Sequence, residues 1–268
     1  MSVIHSAKLG SLPAVHLQHP DGSRAVITLF GAHLVSWKTP DGAEQLFCSE
    51  RSALDGSRPI RGGVPVIFPQ FNERGPILRH GFARVSNWSV ADSGEADGAA
   101  YVVLELAPSD LAPARAAEWP HPFSLRLRVA IGGEQLAMTL EVLNTGTAAF
   151  DFSAALHTYH QVHDVAAVRI DGVQEAPLAI GEALDAIYRH IGGRVTLHDG
   201  DRQLVSTQQG FTDAVVWNPG QAATAAMADM APHEYRHFVC IEPAVIAPIS
   251  LAAGATWRGH NVLRVQTA

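Results

Sequence analysis

SLRLRVAIGGEQLAMTLEVL, Ser124–Leu143, repeats its character every second residue. Leu125, Leu127, Val129 and Ile131 alternate with Arg126, Arg128 and Ala130, and Leu136, Met138, Leu140 and Val142 alternate with Thr139 and Glu141. Successive side chains of an extended chain point to opposite faces, so this period gathers the large apolar groups on one face of each segment. The Gly132-Gly133-Glu134-Gln135 stretch between the two runs predicts a hairpin connection. Outward from this hairpin, Ala25–Phe30, Tyr101–Leu106, Phe150–His157, Val165–Ile170 and Phe238–Glu242 read as further strands, with Gly, Pro and Asp between them. Helix signals are sparse. Ser109–Glu118 predicts a short turn of helix interrupted by Pro113, and Ala-rich Gln221–Met230, after Pro219, predicts a short surface helix. Many short strands at close spacing imply an all-β chain folded as a large antiparallel β-sandwich with a few short helices. No linker, charge run or internal repeat divides it, so residues 1–268 are expected to form one domain.

With 268 residues, 47% of them apolar, the chain can bury a sizeable core. A net charge of −7 argues against a general nucleic-acid or membrane-surface binder. The opening MSVIHSAKLG lacks a basic segment followed by an apolar one, and no apolar run is long enough to cross a bilayer. Cys48 and Cys240, the only cysteines, form neither a CxxC motif nor a disulfide framework. The expectation is a cytoplasmic protein.

Chemistry concentrates in Arg58–Arg84, RPIRGGVPVIFPQFNERGPILRHGFAR. Pro59, Pro65, Pro69 and Pro76 fix φ and oppose a long helix, while Gly62-Gly63 lets the backbone pass close to a neighbour. The stretch presents Arg61, Arg79, His80 and Arg84. A guanidinium offers a planar fork of donors suited to phosphate, although arginines on a structural loop can equally sit in solvent. His157 ends the strand-like DFSAALHTY, whose alternation puts Asp151, Ser153, Ala155, His157 and Tyr159 on one small, polar face. That leaves either a ligand-facing imidazole or a hydrogen-bonded sheet histidine. In HTYHQVH, alternation places His160 opposite His157 and His163, and no zinc-site pattern such as HExxH is present. Glu242 shares a face with Phe238 and Cys240 at the end of an apolar run. A carboxylate there is either a buried ion-pair partner or a base whose pKa burial raises toward neutrality.

IRGGVPVIFPQF and HGFAR, together with LFGAHLVSW, LHTYH, LDAIY, DAVVWNP and FVCIEP, resemble the hexose-6-phosphate mutarotases (glucose-6-phosphate 1-epimerases), a branch of the aldose 1-epimerase superfamily. The resemblance runs from about Ala14 to Val265 in family order. It implies the galactose mutarotase-like super-sandwich, with a sugar site on the concave face of one sheet. By this resemblance Glu242 takes the proton of the anomeric hydroxyl and His157, protonated, gives one to the ring oxygen. Asp185 accepts hydrogen bonds from sugar hydroxyls, His80 orients a ring hydroxyl, and Arg61 and Arg84 bind the phosphate, which the Gly62-Gly63 backbone lets approach closely beside Arg61. Arg79 stands beside the ligand where relatives often carry Gln, and either adds a third positive charge or alters sugar preference. Trp37 and Trp217 read as sheet core or sugar-stacking residues, Trp37 as core, and Asp213 as structural. No cofactor and no metal are implied. The implied partner is a small phosphosugar, with neither nucleic acid nor membrane, and the chain is expected to be a monomer. Rival readings are an epimerase of unphosphorylated aldoses and a non-catalytic carbohydrate-binding sandwich. The latter needs no His157–Glu242 pair. A glycosidase, which uses two carboxylates, fits less well.

Overall fold

The computed structural model describes residues 4–267. The first three positions of the amino-terminal segment considered above, and residue 268, lie outside them. Every paired strand is antiparallel. The hairpin is present as Phe123–Gly132 paired with Gln135–Asn144. Gly132 lies opposite Gln135, so Gly133 and Glu134 form the turn, and Gly133 takes the positive φ this tight reversal needs. All eight alternating apolar side chains of the hairpin are buried.

The hairpin is part of a nine-stranded sheet. Its order is Leu178–Ala179, Arg169–Asp171, Arg194–Asp199, Arg202–Gln209, Thr256–Thr267, Gln135–Asn144, Phe123–Gly132, Ala99–Leu106, Ser89–Ala96. A six-stranded sheet runs Leu184–Tyr188, Asp213–Asn218, Phe238–Leu251, Phe150–Leu156, Val66–Ile67, with Tyr159–Gln161 also paired to Phe238–Leu251. Four strands from Ile4 to Lys38 make a third sheet. One core joins all three. Leu127 and Leu140 of the hairpin pack in the same cluster as Phe152, Leu156, Val239 and Ile241 of the six-stranded sheet and Leu17 and Ile27 of the small sheet. Trp37 lies in this core, fully buried, as expected.

The six-stranded sheet therefore has two different faces. Val239 and Ile241 enter the main core, while Phe238 and Cys240 pack with Phe47, Tyr159 and Met230 on the other side. Alternation read from the sequence assigned these faces correctly. Its expectation about the length of this strand falls short, because the strand continues through Pro243 and Pro248 to Leu251. Pro248 falls in the break of register between the Phe152–Ile249 and Ala154–Val245 pairs, where a missing N–H costs no ladder bond.

Three other expectations need correction. Val165–Ile170 is not one strand: Val165–Ala167 is a 3₁₀ turn and only Arg169–Asp171 is extended. The Asp164 carboxylate accepts from the Ala166 N–H, giving the backbone a local alternative to the ladder. Pro113 starts a helix, Pro113–Glu118, rather than interrupting one, since the first helical position needs no N–H donor. The Ala-rich helix covers only Gly220–Ala225. Beyond it the chain turns so that Met230 is buried against Phe238 and Tyr159, and tertiary packing overrides helix propensity.

Candidate active site

The pocket lies on the side of the six-stranded sheet that faces away from the main core. Strand Phe238–Leu251 supplies Glu242, and neighbouring Asp213–Asn218 supplies Val215, directly opposite Glu242, and Trp217. Edge strand Leu184–Tyr188 places Asp185 opposite Trp217. His157 follows strand Phe150–Leu156 at the point where the chain leaves one ladder and rejoins the sheet at Tyr159, opposite Cys240. The loop between Ile67 and Ala83 adds Phe71, Asn72, Arg79 and His80 to the lining, with Arg61 and Arg84 on either side of it. All seven residues singled out from the sequence line this one cavity of about 180 Å³: Arg61, Arg79, His80, Arg84, His157, Asp185 and Glu242.

His157 Nδ1 and Glu242 Oε1 are 3.3 Å apart, and both residues are buried. Burial pushes Glu242 well above the usual carboxylate range, with help from the Asp185 carboxylate. Burial also holds His157 well below its ordinary value, reinforced by His80, Arg84 and Arg61. Both shifts favour the uncharged form, because a low-dielectric floor penalises charge. The direction in both cases is toward a protonated Glu242 beside a neutral imidazole.

The imidazole is held between rings. Tyr159 stacks on it at 4.9 Å with planes 10° apart, and Trp217 meets it edge-on at 5.9 Å. Trp217 is thus a pocket wall, not core. The backbone N–H of Asn72 donates to His80 Nδ1 at 3.2 Å, which leaves Nε2 to carry the proton of a neutral ring. Burial and the three nearby arginines push His80 down to about 3, so it stays neutral and serves as a hydrogen-bond donor.

The arginines are not equivalent. Arg61 donates Nε and Nη2 to one Asp229 oxygen at 3.2 and 3.1 Å, and Nη1 to the Tyr159 hydroxyl at 3.1 Å. Arg84 Nη2 donates to the Arg79 carbonyl at 2.9 Å, while its buried Nε has no partner. Burial and the charges of Arg61 and Arg79 push the Arg84 guanidinium down to about 10, so it remains protonated at neutral pH. Among the described residues, neither Arg79 nor Arg84 has a carboxylate within 4 Å.

The glycine pair does a different job from the one expected. Neither glycine lines the cavity. A Cβ on Gly62 would stand 2.4 Å from Cys48 Cα, and one on Gly63 would stand 2.2 Å from the Leu34 carbonyl. The close approach is made by the protein's own chain. It lets segment 61–64 pass between residues 33–35 and 47–48, with His33 Nε2 bonded to the Gly62 carbonyl at 2.7 Å. Asp213 is structural, accepting from the N–H groups of His190 and Ile246.

Sequence reasoning missed Asp229 and Met227, which lie on the turn after helix Gly220–Ala225, and also Asn72 and Phe71. No local signal marks Asp229, which meets its partner across 168 positions. The histidines of HTYHQVH do not converge on one another. His160 turns to the opposite face beside Arg202, and His163 pairs with Asp199 at 3.0 Å. The one cluster of metal-ligating types among the described residues is His157, Cys240 and Glu242. None of the described helices is long and apolar enough to cross a membrane.

The sequence pattern of one family, described as "Aldose 1-epimerase", matches residues 13–264. A protein of Cenchrus ciliaris named "Putative glucose-6-phosphate 1-epimerase" is 34% identical over 264 residues, covering 89% of this chain and 80% of the relative. An Escherichia coli K12 protein of the same name is 32% identical over 270 residues, covering 90% and 86%. Among solved structures, "a putative mutarotase (YeaD)" from Salmonella typhimurium superposes with a TM-score of 0.90 at 26% identity, covering 99% of this chain and 94% of that one. The galactose 1-epimerase of Lactobacillus acidophilus, at 13% identity and a TM-score of 0.71, shares the fold.

Proposed function

Because the chain belongs to the aldose 1-epimerase family, we propose that it interconverts the α and β anomers of a hexose 6-phosphate, with D-glucose 6-phosphate as the first substrate to test. Mutarotase chemistry follows from the family, and the phosphate is our reading of the pocket. The observation that carries it is the pair Arg79 and Arg84. Two guanidinium groups without carboxylate partners line the same small cavity as a buried His–Glu couple. A neutral sugar offers hydroxyls only and gains little from such charge, whereas a phosphate dianion satisfies it with charge-assisted hydrogen bonds.

Mutarotation removes a proton from the anomeric hydroxyl and adds one to the ring oxygen. The ring opens, C1 rotates about the C1–C2 bond, and the aldehyde recloses with the opposite configuration. One base and one acid suffice, and their roles exchange on closure. A neutral imidazole beside a protonated carboxyl supplies one base and one acid at each stage. Each such contribution is worth roughly 10²–10⁴-fold in rate. Tyr159 and Trp217 fix the imidazole plane, and neutral His80 donates to a sugar hydroxyl. Asp185 at the open edge accepts from others. Phosphate binding at the arginines holds the ring with O1 and O5 at the couple, so binding energy from the non-reacting end serves orientation at the reacting end.

The test is magnetisation-exchange NMR between the anomers of glucose 6-phosphate, with glucose at the same concentration as the comparison. Exchange is expected to be much faster for the phosphosugar. Faster exchange of free glucose would assign the protein to neutral aldoses instead.

A further inference from the structure

The couple has a third member that the proposed reaction does not use. Cys240 precedes Glu242 by two residues on the same strand face and lies opposite Tyr159, two residues past His157. One ring nitrogen of His157, Cys240 Sγ and a Glu242 oxygen all lie within 4.8 Å of one another. The three residues are 9%, 0% and 1% exposed. His157 Nδ1 and Glu242 Oε2 are buried without any hydrogen-bond partner. A ligand there thus gains two polar atoms that are otherwise unsatisfied. We propose that these three side chains form a binding site for a thiophilic divalent cation of the Zn²⁺ class, and that its occupancy switches the acid–base couple off.

Nitrogen, sulfur and oxygen from three residues, with a fourth position open to the pocket, make a donor set that zinc accepts. Around such an ion the ligand atoms sit roughly 3.5 Å apart, a modest contraction of the present cluster. Entry is through the cavity, which His157 and Glu242 already line. Binding sends the Cys240 thiol proton and the Glu242 carboxyl proton to solvent, leaving thiolate, carboxylate and neutral imidazole on the ion. The two negative ligands cancel its charge, so the pocket arginines meet a neutral centre rather than a dication. With the imidazole lone pair and the Glu242 carboxylate both held by the ion, neither can accept a proton from a sugar. The site itself stands on the cluster geometry alone. Its effect on turnover rests on the function proposed above.

The experiment uses metal-free, reduced protein and two readouts. Titration with Co²⁺ should give a thiolate-to-cobalt charge-transfer band at one equivalent that Zn²⁺ abolishes. The band should be lost in Cys240→Ala and kept in Cys48→Ala. In the second readout, Zn²⁺ should depress glucose 6-phosphate mutarotation, a chelator should restore it, and Cys240→Ala should raise the half-inhibiting Zn²⁺ concentration by about tenfold or more. Because sensitivity is read as a ratio within each variant, a change in basal rate does not blur it. Cys240→Ser serves if the alanine variant folds poorly. Absence of the band, its persistence without Cys240, or activation by Zn²⁺ would overturn the proposal. Protein that gives the Cys240-dependent band when titrated with Co²⁺ but shows no mutarotation when metal-free would support the site and overturn the proposed function.

Discussion

The hairpin Phe123–Asn144 and the pocket face of the six-stranded sheet are built on the same period of two, yet the period means different things in each. In the hairpin one face carries Leu, Val, Ile and Met, with Phe123 and Asn144 at its open end, and is wholly buried. Burial is its entire role, each side chain being worth about 1.5–3 kcal/mol in transfer from water. On the pocket face the alternate positions are Cys240, Glu242, Tyr159 and Trp217, with His157 beside them. Here burial is applied to groups that oppose it. The cost appears as displaced pKa values and orphaned polar atoms, His157 Nδ1 and Glu242 Oε2 among them. One region spends its pattern on stability and the other on chemistry, and the two should respond to mutation in opposite ways.

The largest contrast is expected at the couple. His157→Ala and Glu242→Gln should each lower anomer exchange by roughly 10²–10⁴-fold, with the double mutant little worse than either single one. The urea midpoint of Glu242→Gln should stay put or rise, since a buried carboxyl is replaced by an amide of the same shape. Near-wild-type turnover in either single mutant would refute the assignment. The mirror experiment is Leu127→Ala in the hairpin, expected to cost about 2–5 kcal/mol of stability while the folded fraction keeps its kcat.

Acid should separate the regions next. The hairpin contains no histidine, whereas His33, His80 and His160 are buried around the pocket sheet and stay neutral. Burial, together with Arg84, holds His33 at about 4. Its unfolded value near 6.5 is higher, so between these limits the unfolded chain binds more protons. Stability from this group is fully present above pH 6.5 and is lost as pH falls through 4. The loss from His33 should approach about 3 kcal/mol near pH 4. His33→Gln, which can still donate to the Gly62 carbonyl, should flatten the slope of stability between pH 6.5 and 4. An unchanged slope would mean that His33 titrates normally.

The finest test concerns the pocket mouth. Arg84→Ala should lower kcat/KM for glucose 6-phosphate by roughly 1.5–3 kcal/mol while the slow reaction of free glucose barely moves. Arg84→Lys should recover part of the loss, because the charge returns without the planar fork. Equal losses for both sugars would detach Arg84 from the phosphate. Arg61→Ala should also be costly, partly because it leaves the Asp229 carboxylate unpaired beside the anion. Arg61→Ala/Asp229→Ala should therefore outperform Arg61→Ala alone.

Local pattern determined a good deal of this protein. Alternation located the hairpin, assigned Val239 and Ile241 to one face and Cys240 and Glu242 to the other, and turned His160 away from His157. These are properties of a chain with two faces, and neighbours two residues apart suffice to reveal them. The motif resemblance marks seven of the residues that line the pocket. Partners far apart in the chain were decided only by folding. Asp229 is an unremarked residue in MADM until a turn after Gly220–Ala225 carries it to Arg61. Gly62-Gly63 reads as a ligand cradle until segments 33–35 and 47–48 are seen to fill the space. Cys240 gains meaning only when strand pairing through Tyr159 brings His157 beside it. The displaced pKa values of His157 and Glu242 were likewise set by the fold, since they depend on how completely the assembled sheets exclude water from both groups, and desolvation is a property of the whole packed interior rather than of any stretch of sequence.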